Sequence, residues 1–279
     1  MRRSLLFLCL FLFTTLSAQT LFTRLDVDSA SDIAAAKGTF VILDFYADWC
    51  GPCKVMDEKV WSLDTVQALQ NQFVNVRIDA TNPNTTLDKY GVKALPTLIV
   101  LDANGKEYYR RKGYMTKEDV LTLFHQFPPN MQAAYAADYL VKEQPDAFNT
   151  YFMLARNYQE AARQASGAIA SQLAGASNKG LEQAQKILSK KSTTPESLME
   201  RLSLMEAENL LLKGRAKKAL KLMASLNEEL NPKNEALACY IKAQAYRKTN
   251  QPELAGECYD LLQEAADNEV FVAMYKKKQ

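Results

Sequence analysis

The most constraining feature of the sequence is an apolar run at residues 39–47 that leads directly into two closely spaced cysteines. The run, TFVILDFYA, is rich in β-branched and aromatic residues and is apolar on both faces, which predicts an interior strand of a sheet. From Cys53 onward the apolar residues recur at helical spacing, through DTVQALQNQ. Cys50 and Cys53 therefore lie where a central strand gives way to a helix.

The chain around this strand alternates strand and helix patterns. A short helix is predicted at residues 28–37, and FVNVRIDA and ALPTLIVL read as further strands with the helix NTTLDKYG between them. DANGK is typical of a hairpin turn, and EYYRRKG is the returning strand. TKEDVLTLFHQF reads as a closing helix, with Thr116 as N-cap and Asp119 at the capping-box position. The order from residue 39, β-α-β-α-β-β-α, predicts an α/β domain.

The chain changes character after FPPN, at residues 127–130. Ala, Leu, Glu, Lys and Gln dominate, and apolar residues are spaced three and four apart, which predicts an all-α half. Segments beginning at Ala207 and Ala243 superimpose at an offset of 36 residues, which resembles tetratricopeptide repeats with their period of about 34. A plain helical bundle explains the small residues nearly as well, because residues 146–190 keep no regular register with this pair.

The first eighteen residues have the pattern of a secretory signal peptide. Arg2 and Arg3 precede an apolar run at residues 5–16, and the small residue Ala18 precedes the expected cleavage site. The run is shorter than the roughly 20 residues that span a bilayer, which favours cleavage over a retained anchor. We therefore expect an exported, periplasmic protein, soluble after cleavage, with a signal peptide at 1–18, an α/β domain at 19–127 and an all-α domain at 130–279.

Composition excludes several classes of function. The chain has 34 basic and 32 acidic residues, and Arg2 and Arg3 leave with the signal peptide. The mature chain therefore has 32 of each and lacks the basic excess expected of a nucleic-acid-binding protein. The single histidine, His125, ends a predicted helix. A His-assisted hydrolase or a His-rich metal centre would have to be built around that one residue. We expect no metal and no other cofactor.

The cysteine pair has the spacing of a redox site. An attacking sulfur must be a thiolate, and a free cysteine with a pKa of about 8.5 is mostly protonated at neutral pH. Cys50 precedes a predicted helix, where unpaired N–H groups and the helix dipole lower a thiol pKa. We expect Cys50 to attack a substrate disulfide and Cys53, one turn later, to resolve the mixed disulfide, with Pro52 rigidifying the turn.

Other interpretations of the cysteines remain open at this point. Cys50 and Cys53 could form a purely structural disulfide. Half of a zinc site is disfavoured, because a closed site needs a second closely spaced pair and Cys239 and Cys258 do not have that spacing. These two lie in consecutive predicted helices, where buried small residues or a stabilising disulfide would both fit.

Three segments together resemble the thioredoxin family. LDFYADWCGPCK is similar to the active-site segment, YGVKALPT to the downstream loop, and DANGKEYYRRKG to the terminal hairpin, in the family's order across residues 21–127. The resemblance implies an α/β thioredoxin fold, a central mixed sheet flanked by helices, ahead of the helical half. The spelling YADWC and the expected export are closer to the C-terminal domains of DsbD-type thiol:disulfide interchange proteins than to cytosolic thioredoxins.

The resemblance also implies a catalytic group and two departures from the family pattern. Cys50 matches the nucleophile and Cys53 the resolving thiol, while Asp44 matches a buried carboxylate that assists proton transfer at the second cysteine. Asn75 stands where the family has a lysine near that carboxylate, so a different titration of Asp44 is expected. Glu58 replaces the proline that kinks the family's helix.

The remaining implied site residues would contact the substrate. Pro96 matches the family's cis-proline, which faces the disulfide. Leu95 before it would offer backbone hydrogen bonds to an extended substrate chain. Trp49 would cover the site, and Gly51 and Pro52 complete the expected substrate-binding surface.

The Gly51-Pro52 dipeptide favours a reductase. It is the pair found in reducing thioredoxins, at about −270 mV, whereas DsbA-type oxidants lie at about −120 mV. An exported reductase needs electrons, and this chain lacks membrane segments, so we expect a separate, membrane-bound donor and protein disulfides as substrates. The helical half would dock a protein partner or another copy of the chain. The alternative function is a non-catalytic assembly protein with the thioredoxin-like fold as scaffold.

Overall fold

The computed structural model describes residues 21–81, 85–190, 195–226 and 230–277. The predicted signal peptide at residues 1–18 lies outside these ranges. Within them, none of the helices is both long enough and apolar enough to cross a membrane.

The N-terminal part confirms the predicted α/β fold. Its elements are α1 (Val27–Lys37), β1 (Val41–Tyr46), α2 (Gly51–Met56), α3 (Asp64–Gln70), β2 (Val74–Asp79), α4 (Thr85–Tyr90), β3 (Thr97–Leu101), β4 (Glu107–Lys112) and α5 (Lys117–Phe124). The four strands form one mixed sheet in the order β2-β1-β3-β4. β1 pairs parallel with β2 and antiparallel with β3, and β4 lies antiparallel to β3. The strand that leads to the cysteines is therefore interior.

Strand β1 separates two apolar layers, because successive side chains point to opposite faces. Val41, Leu43 and Phe45 pack with α1 on one face. Ile42 packs on the other face, with residues that follow the cysteines, including Met56. Asp44 shares the face of Ile42 by this alternation. The sequence thus places one carboxylate inside an apolar layer.

The helix after Cys53 is interrupted, whereas the apolar pattern alone predicted that it continues. A π-helical turn at Asp57–Trp61 follows α2, and the chain is extended at Leu63 before α3 begins. Ser62 Oγ donates a hydrogen bond to the Glu58 carbonyl at 2.6 Å. Because π turns bend helices, the break arises here without proline at position 58.

The C-terminal part is helical, as predicted. Its elements are α6 (Gln132–Glu143), α7 (Phe148–Gln164), α8 (Gly167–Leu188), α9 (Glu196–Leu212), α10 (Ala216–Met223), α11 (Pro232–Lys248), α12 (Pro252–Glu264) and α13 (Glu269–Lys277). Helices α9 and α11 begin and end 36 residues apart. Helices α10 and α12 also begin 36 residues apart. The preceding pair, α7 and α8, begins 48 and 49 residues before α9 and α10, so these earlier helices do not share that register. The tetratricopeptide-like assignment stays a prediction.

The two parts share one apolar core, which the sequence did not predict. The buried cluster around Phe40 continues through Phe127 and Met131 into α7 and α8. Tyr135 of α6 donates its hydroxyl to the Thr39 carbonyl at 2.9 Å and accepts from the Ala103 N–H at 3.2 Å. Helices α6 to α8 thus pack on the sheet through shared apolar contacts, and α6 is also held by two partly buried hydrogen bonds.

Helices α7 and α8 cross closely at Gly180, which gives a test of this packing. A Cβ at Gly180 would lie 2.9 Å from the Ala155 nitrogen and 3.0 Å from the Tyr151 carbonyl oxygen. We expect Gly180→Ala to lower the free energy of unfolding by about 1–3 kcal/mol, because backbone atoms must move apart. Gly175→Ala is the matched control in the same helix, where a Cβ meets nothing within 4 Å. It should raise stability by about 1 kcal/mol. Chemical denaturation of both variants measures this difference, and equal effects would contradict the close crossing.

Candidate active site

The two cysteines lie at the start of α2 and are joined by a disulfide. Cys50 is the N-cap residue, its sulfur accepts a hydrogen bond from the Cys53 N–H at 3.3 Å, and the two Cα atoms are 5.3 Å apart. Pro52 occupies the first turn, where a missing N–H costs nothing. First-turn N–H groups and the helix dipole stabilise negative charge on a sulfur at this position. The geometry suits a nucleophilic Cys50 once the disulfide is reduced.

The surface around the disulfide is partly apolar and partly open. The two cysteines are buried, at 4% and 3% exposure, whereas Trp49 is 68% exposed. Gly51 and Pro52 are exposed as well. Leu95, more than forty residues later in the chain, packs against the cysteine cluster. The tertiary structure thus brings one distant predicted site residue to the sulfurs.

Pro96 follows Leu95 at the entry to β3. The peptide bond between them is cis, and Pro96 is buried. Its carbonyl accepts a hydrogen bond from the Gly113 N–H at 2.8 Å. Thr97 Oγ1 donates to the Ala94 carbonyl at 2.7 Å. These two contacts hold the loop in place beside the disulfide.

Asp44 is buried in the layer beneath α2, with 2% exposure. Burial raises the pKa of its carboxyl to about 7, since a charged carboxylate loses its hydration there; nearby Arg77 lowers the pKa and Asp57 raises it. A carboxyl with this pKa exchanges protons readily near neutral pH.

Arg77 is a charged neighbour of Asp44 that the sequence prediction missed. It lies opposite Asp44 in the β1–β2 register, with its Nε 3.3 Å from Asp44 Oδ2. Its Nη2 donates to Asp57 Oδ1 at 2.6 Å, and its guanidinium lies over the Tyr46 ring at 4.1 Å. A single cation therefore links the buried carboxylate to a half-exposed one.

Asn75, the position at which a different titration was anticipated, does not face Asp44. It pairs with Ile42 in the register, and its Nδ2 donates to the Gln70 and Phe73 carbonyls. The cation is displaced by two residues along the same strand, which keeps it on the same face. In the sequence, the only indication was that the basic Arg77 follows Asn75 by two residues. The strand register was needed to show that Arg77 lies opposite Asp44.

The charge arrangement predicts opposite effects of two substitutions. Arg77→Met keeps an apolar stem against Tyr46 but removes the cation, so the pKa of Asp44 should rise above about 7. Asp57→Asn removes the carboxylate that disfavours charge on Asp44, so that pKa should fall. Carbon-13 NMR of the Asp44 carboxyl during a pH titration measures both shifts. Shifts in the same direction would contradict this electrostatic account.

The second pair of cysteines has a different environment. Cys239 in α11 and Cys258 in α12 are free, half-buried thiols packed against the helical core. Burial raises the pKa of both thiols. A raised pKa lowers the thiolate fraction, so these sulfurs are poorer nucleophiles than one at a helix N-terminus. The lone His125 lies at the end of α5, where its Nδ1 donates a hydrogen bond to the Leu121 carbonyl, 2.7 Å away.

Comparison with known proteins matches the α/β part of the chain. The thioredoxin-like domain family matches residues 27–128. The DsbD thiol:disulfide interchange protein of Pseudomonas sp. is 37% identical over 31% of this chain, but the chain spans only 15% of that protein's length. The oxidised C-terminal domain of Neisseria meningitidis DsbD, a solved structure, is 26% identical, covers 37% of this chain and 97% of its own, and has a TM-score of 0.34. Thioredoxin of Bacillus subtilis is 36% identical over 31% of this chain and 80% of its own length. Through residues 27–128, the chain belongs to the thioredoxin family.

Proposed function

We propose that this chain is an exported thiol–disulfide oxidoreductase that reduces disulfide bonds in other proteins. The observation that carries the proposal is the placement of Cys50 and Cys53 at the start of α2, already joined by a disulfide, above a buried Asp44 whose pKa is raised to about 7. A structural disulfide would require neither the helix N-terminus nor a buried carboxyl poised to exchange protons.

The proposed reaction has two steps that conserve thiols and disulfides. The Cys50 thiolate attacks one sulfur of a substrate disulfide, forming a mixed disulfide and releasing the other substrate sulfur as a thiolate, which takes up a proton. Cys53 then loses its proton and attacks Cys50 Sγ, which releases the second substrate thiol. The substrate gains two electrons and two protons, and the chain is left with the Cys50–Cys53 disulfide.

Asp44 would act as the proton acceptor for Cys53. A general base works best when its pKa lies near the operating pH, and about 7 meets this condition. Arg77 and Asp57 would act through Asp44 as positioning residues, since they set its charge.

The loop before β3 would hold the substrate chain. Among the described residues, neither the Leu95 N–H nor its carbonyl takes part in a hydrogen bond, so both are available to an extended peptide. Pro96 would face the disulfide from this loop, while the exposed ring of Trp49 and the exposed Gly51-Pro52 turn would form the opposite wall.

The direction and the location of the reaction rest on sequence features. The Gly51-Pro52 dipeptide favours a reductase, and the signal pattern at residues 1–18 favours export. A reductase outside the cytoplasm needs a separate electron donor, which we place in the membrane. The partners would be protein disulfides on one side and this donor on the other.

We further propose that residues 19–127 form the catalytic domain and residues 130–279 a domain that docks a protein partner or a second copy. The alternative is an assembly protein in which the thioredoxin-like part is only a scaffold. That alternative does not explain why Cys50, Cys53 and a buried Asp44 occur together.

Reduction of insulin by dithiothreitol tests the proposed activity. The chain should accelerate it, and Cys50→Ser should abolish the acceleration, whereas Cys258→Ser, which changes a thiol far from α2, should not. A reduction potential near that of thioredoxins, about −270 mV, would support a reductase. Absence of any acceleration by the unsubstituted chain would favour the scaffold, and acceleration that survives Cys50→Ser would contradict the assignment of Cys50.

A further inference from the structure

Two helices of the C-terminal part carry exposed faces of opposite charge. The sequence from 209 to 227, which contains α10, has no acidic residue but five basic ones: Lys213, Arg215, Lys217, Lys218 and Lys221. The sequence from 249 to 275, which contains α12, has no basic residue but six acidic ones: Glu253, Glu257, Asp260, Glu264, Asp267 and Glu269. We call Lys217, Lys218 and Lys221 the basic face of α10, and Glu253, Glu257, Asp260 and Glu264 the acidic face of α12.

The two faces occupy equivalent positions on equivalent helices. α10 and α12 begin 36 residues apart, as do α9 and α11. At this offset Ala219 of α10 corresponds to Ala255 of α12, and both are buried. Two further correspondences at the same offset pair opposite charges: Lys217 with Glu253 and Lys221 with Glu257. Because the buried positions coincide, the basic and acidic faces lie on the same side of the helical part.

Both faces are exposed and lack a counter-charge from their own chain. All seven side chains are exposed. The ion pairs found in the described ranges join other residues, and none includes a member of either face. Like charges one turn apart on a helix repel each other. Each face therefore gains from a partner that brings the opposite charge.

Apolar side chains accompany the acidic face. Leu254 is 38% exposed and Leu261 is 56% exposed, and they lie two turns apart on one side of α12, beside Glu257. Exposed ion pairs alone contribute little to affinity. Burial of the two leucines would supply affinity, while the charges would select the partner and its orientation.

A second copy of this chain fits both faces at once. In a two-fold dimer each copy contributes the same surface, so a contact made by one copy is repeated by the other. With the two-fold axis between α10 and α12, the basic face of each copy lies on the acidic face of its partner. A purely basic or purely acidic partner would satisfy one face and be repelled by the other.

We propose that this chain forms a two-fold dimer in which the basic face of α10 binds the acidic face of α12 of a second copy. The proposal deepens the docking role proposed above for residues 130–279 by assigning the partner and the contact surface. Its test measures mass, whereas the test of the proposed activity measures insulin reduction, so the failure of one is distinguishable from the failure of the other.

Sedimentation equilibrium of the whole chain tests the proposal. At about 0.1 M salt the mass should be twice that of one chain. At about 1 M salt the Debye length falls from about 10 Å to about 3 Å, and the Kd of the dimer should weaken by about tenfold or more. A single-chain mass at every protein concentration would overturn the proposal. A continuing series of masses above the dimer would overturn its two-fold arrangement.

Two charge-reversed variants connect the dimer to the two faces. One carries Lys217→Glu, Lys218→Glu and Lys221→Glu, so both of its faces are acidic. The other carries Glu253→Lys, Glu257→Lys and Asp260→Lys, so both of its faces are basic. Each variant alone should have the mass of one chain, because like charges then meet across the interface. An equal mixture of the two should regain the dimer mass, and a mixture that stays monomeric would overturn the proposal.

The control variant makes the same change of charge outside both faces. It carries Lys37→Glu, Lys117→Glu and Lys233→Glu, at exposed positions in α1, α5 and α11. It should remain a dimer. Far-ultraviolet circular dichroism and insulin reduction should be unchanged in all variants, which separates lost association from lost folding. Dissociation of the control to the same extent as the two reversed variants would contradict an interface made by α10 and α12.

Discussion

Cys53→Ser should convert the chain into a covalent trap for its substrate. Without the resolving sulfur, the mixed disulfide between Cys50 and a substrate protein cannot collapse to the Cys50–Cys53 bond seen in the structure. Multiple-turnover reduction of insulin should fall by roughly 10³-fold or more, the loss typical of removing an essential catalytic group. Non-reducing electrophoresis followed by mass spectrometry measures the trapped complexes.

The controls for trapping follow from the positions of the other thiols. Cys50→Ser combined with Cys53→Ser should trap nothing, because no sulfur remains at the start of α2. Cys53→Ser combined with Cys258→Ser should trap as well as Cys53→Ser alone, because Cys258 is half-buried in the helical core. Trapping that survives loss of Cys50 would refute its assignment as the nucleophile.

Asp44→Asn should stabilise the oxidised chain, and the gain over the unsubstituted chain should be larger at high pH than at low pH. In the folded chain the pKa of Asp44 is raised from 3.8 to about 7, so this group favours the folded state below pH 4 and loses that advantage as pH rises to about 7. At 1.36 kcal/mol per pKa unit, the loss amounts to about 4 kcal/mol. The asparagine side chain does not titrate, so the variant should not lose this stability as pH rises.

Denaturation between pH 4 and pH 9 measures this linkage. The stability difference between Asp44→Asn and the unsubstituted chain should grow by about 4 kcal/mol over the range and level off above pH 7. Asp32→Asn makes the same charge change on the exposed surface of α1 and is the matched control. A difference that stays constant with pH would mean that Asp44 is ionised in the folded chain throughout.

The proposed role in proton transfer explains why a buried aspartate would be kept at position 44 although its raised pKa lowers folding stability at neutral pH. A carboxyl with a normal pKa would be permanently charged at neutral pH and a poor proton acceptor for a thiol. Burial beneath α2 raises the pKa, while Arg77, held by Asp57 and stacked on Tyr46, limits the rise. The same contacts that weaken the fold at neutral pH would thus serve the proposed proton transfer.

Local patterns predicted much of the α/β part. The interior position of β1 follows from its two apolar faces, and the N-cap of α5 from Thr116 and Asp119, whose reciprocal hydrogen bonds are confirmed. The same patterns failed after Met56, where Val60 and Trp61 keep helical spacing although the backbone widens into a π turn. Side-chain periodicity does not distinguish these two helices over a single turn.

The sequence alone determined most of the helices and strands and the position of the cysteine pair before a helix, because strand and helix periods and a helix N-terminus are encoded within a few neighbouring residues. Only the tertiary structure decided which distant groups meet. Strand register set Arg77 against Asp44, chain folding brought Leu95 to the disulfide, and packing of α6 on the sheet joined Tyr135 to Thr39. These contacts join residues that are far apart in the chain, so local sequence patterns do not predict them.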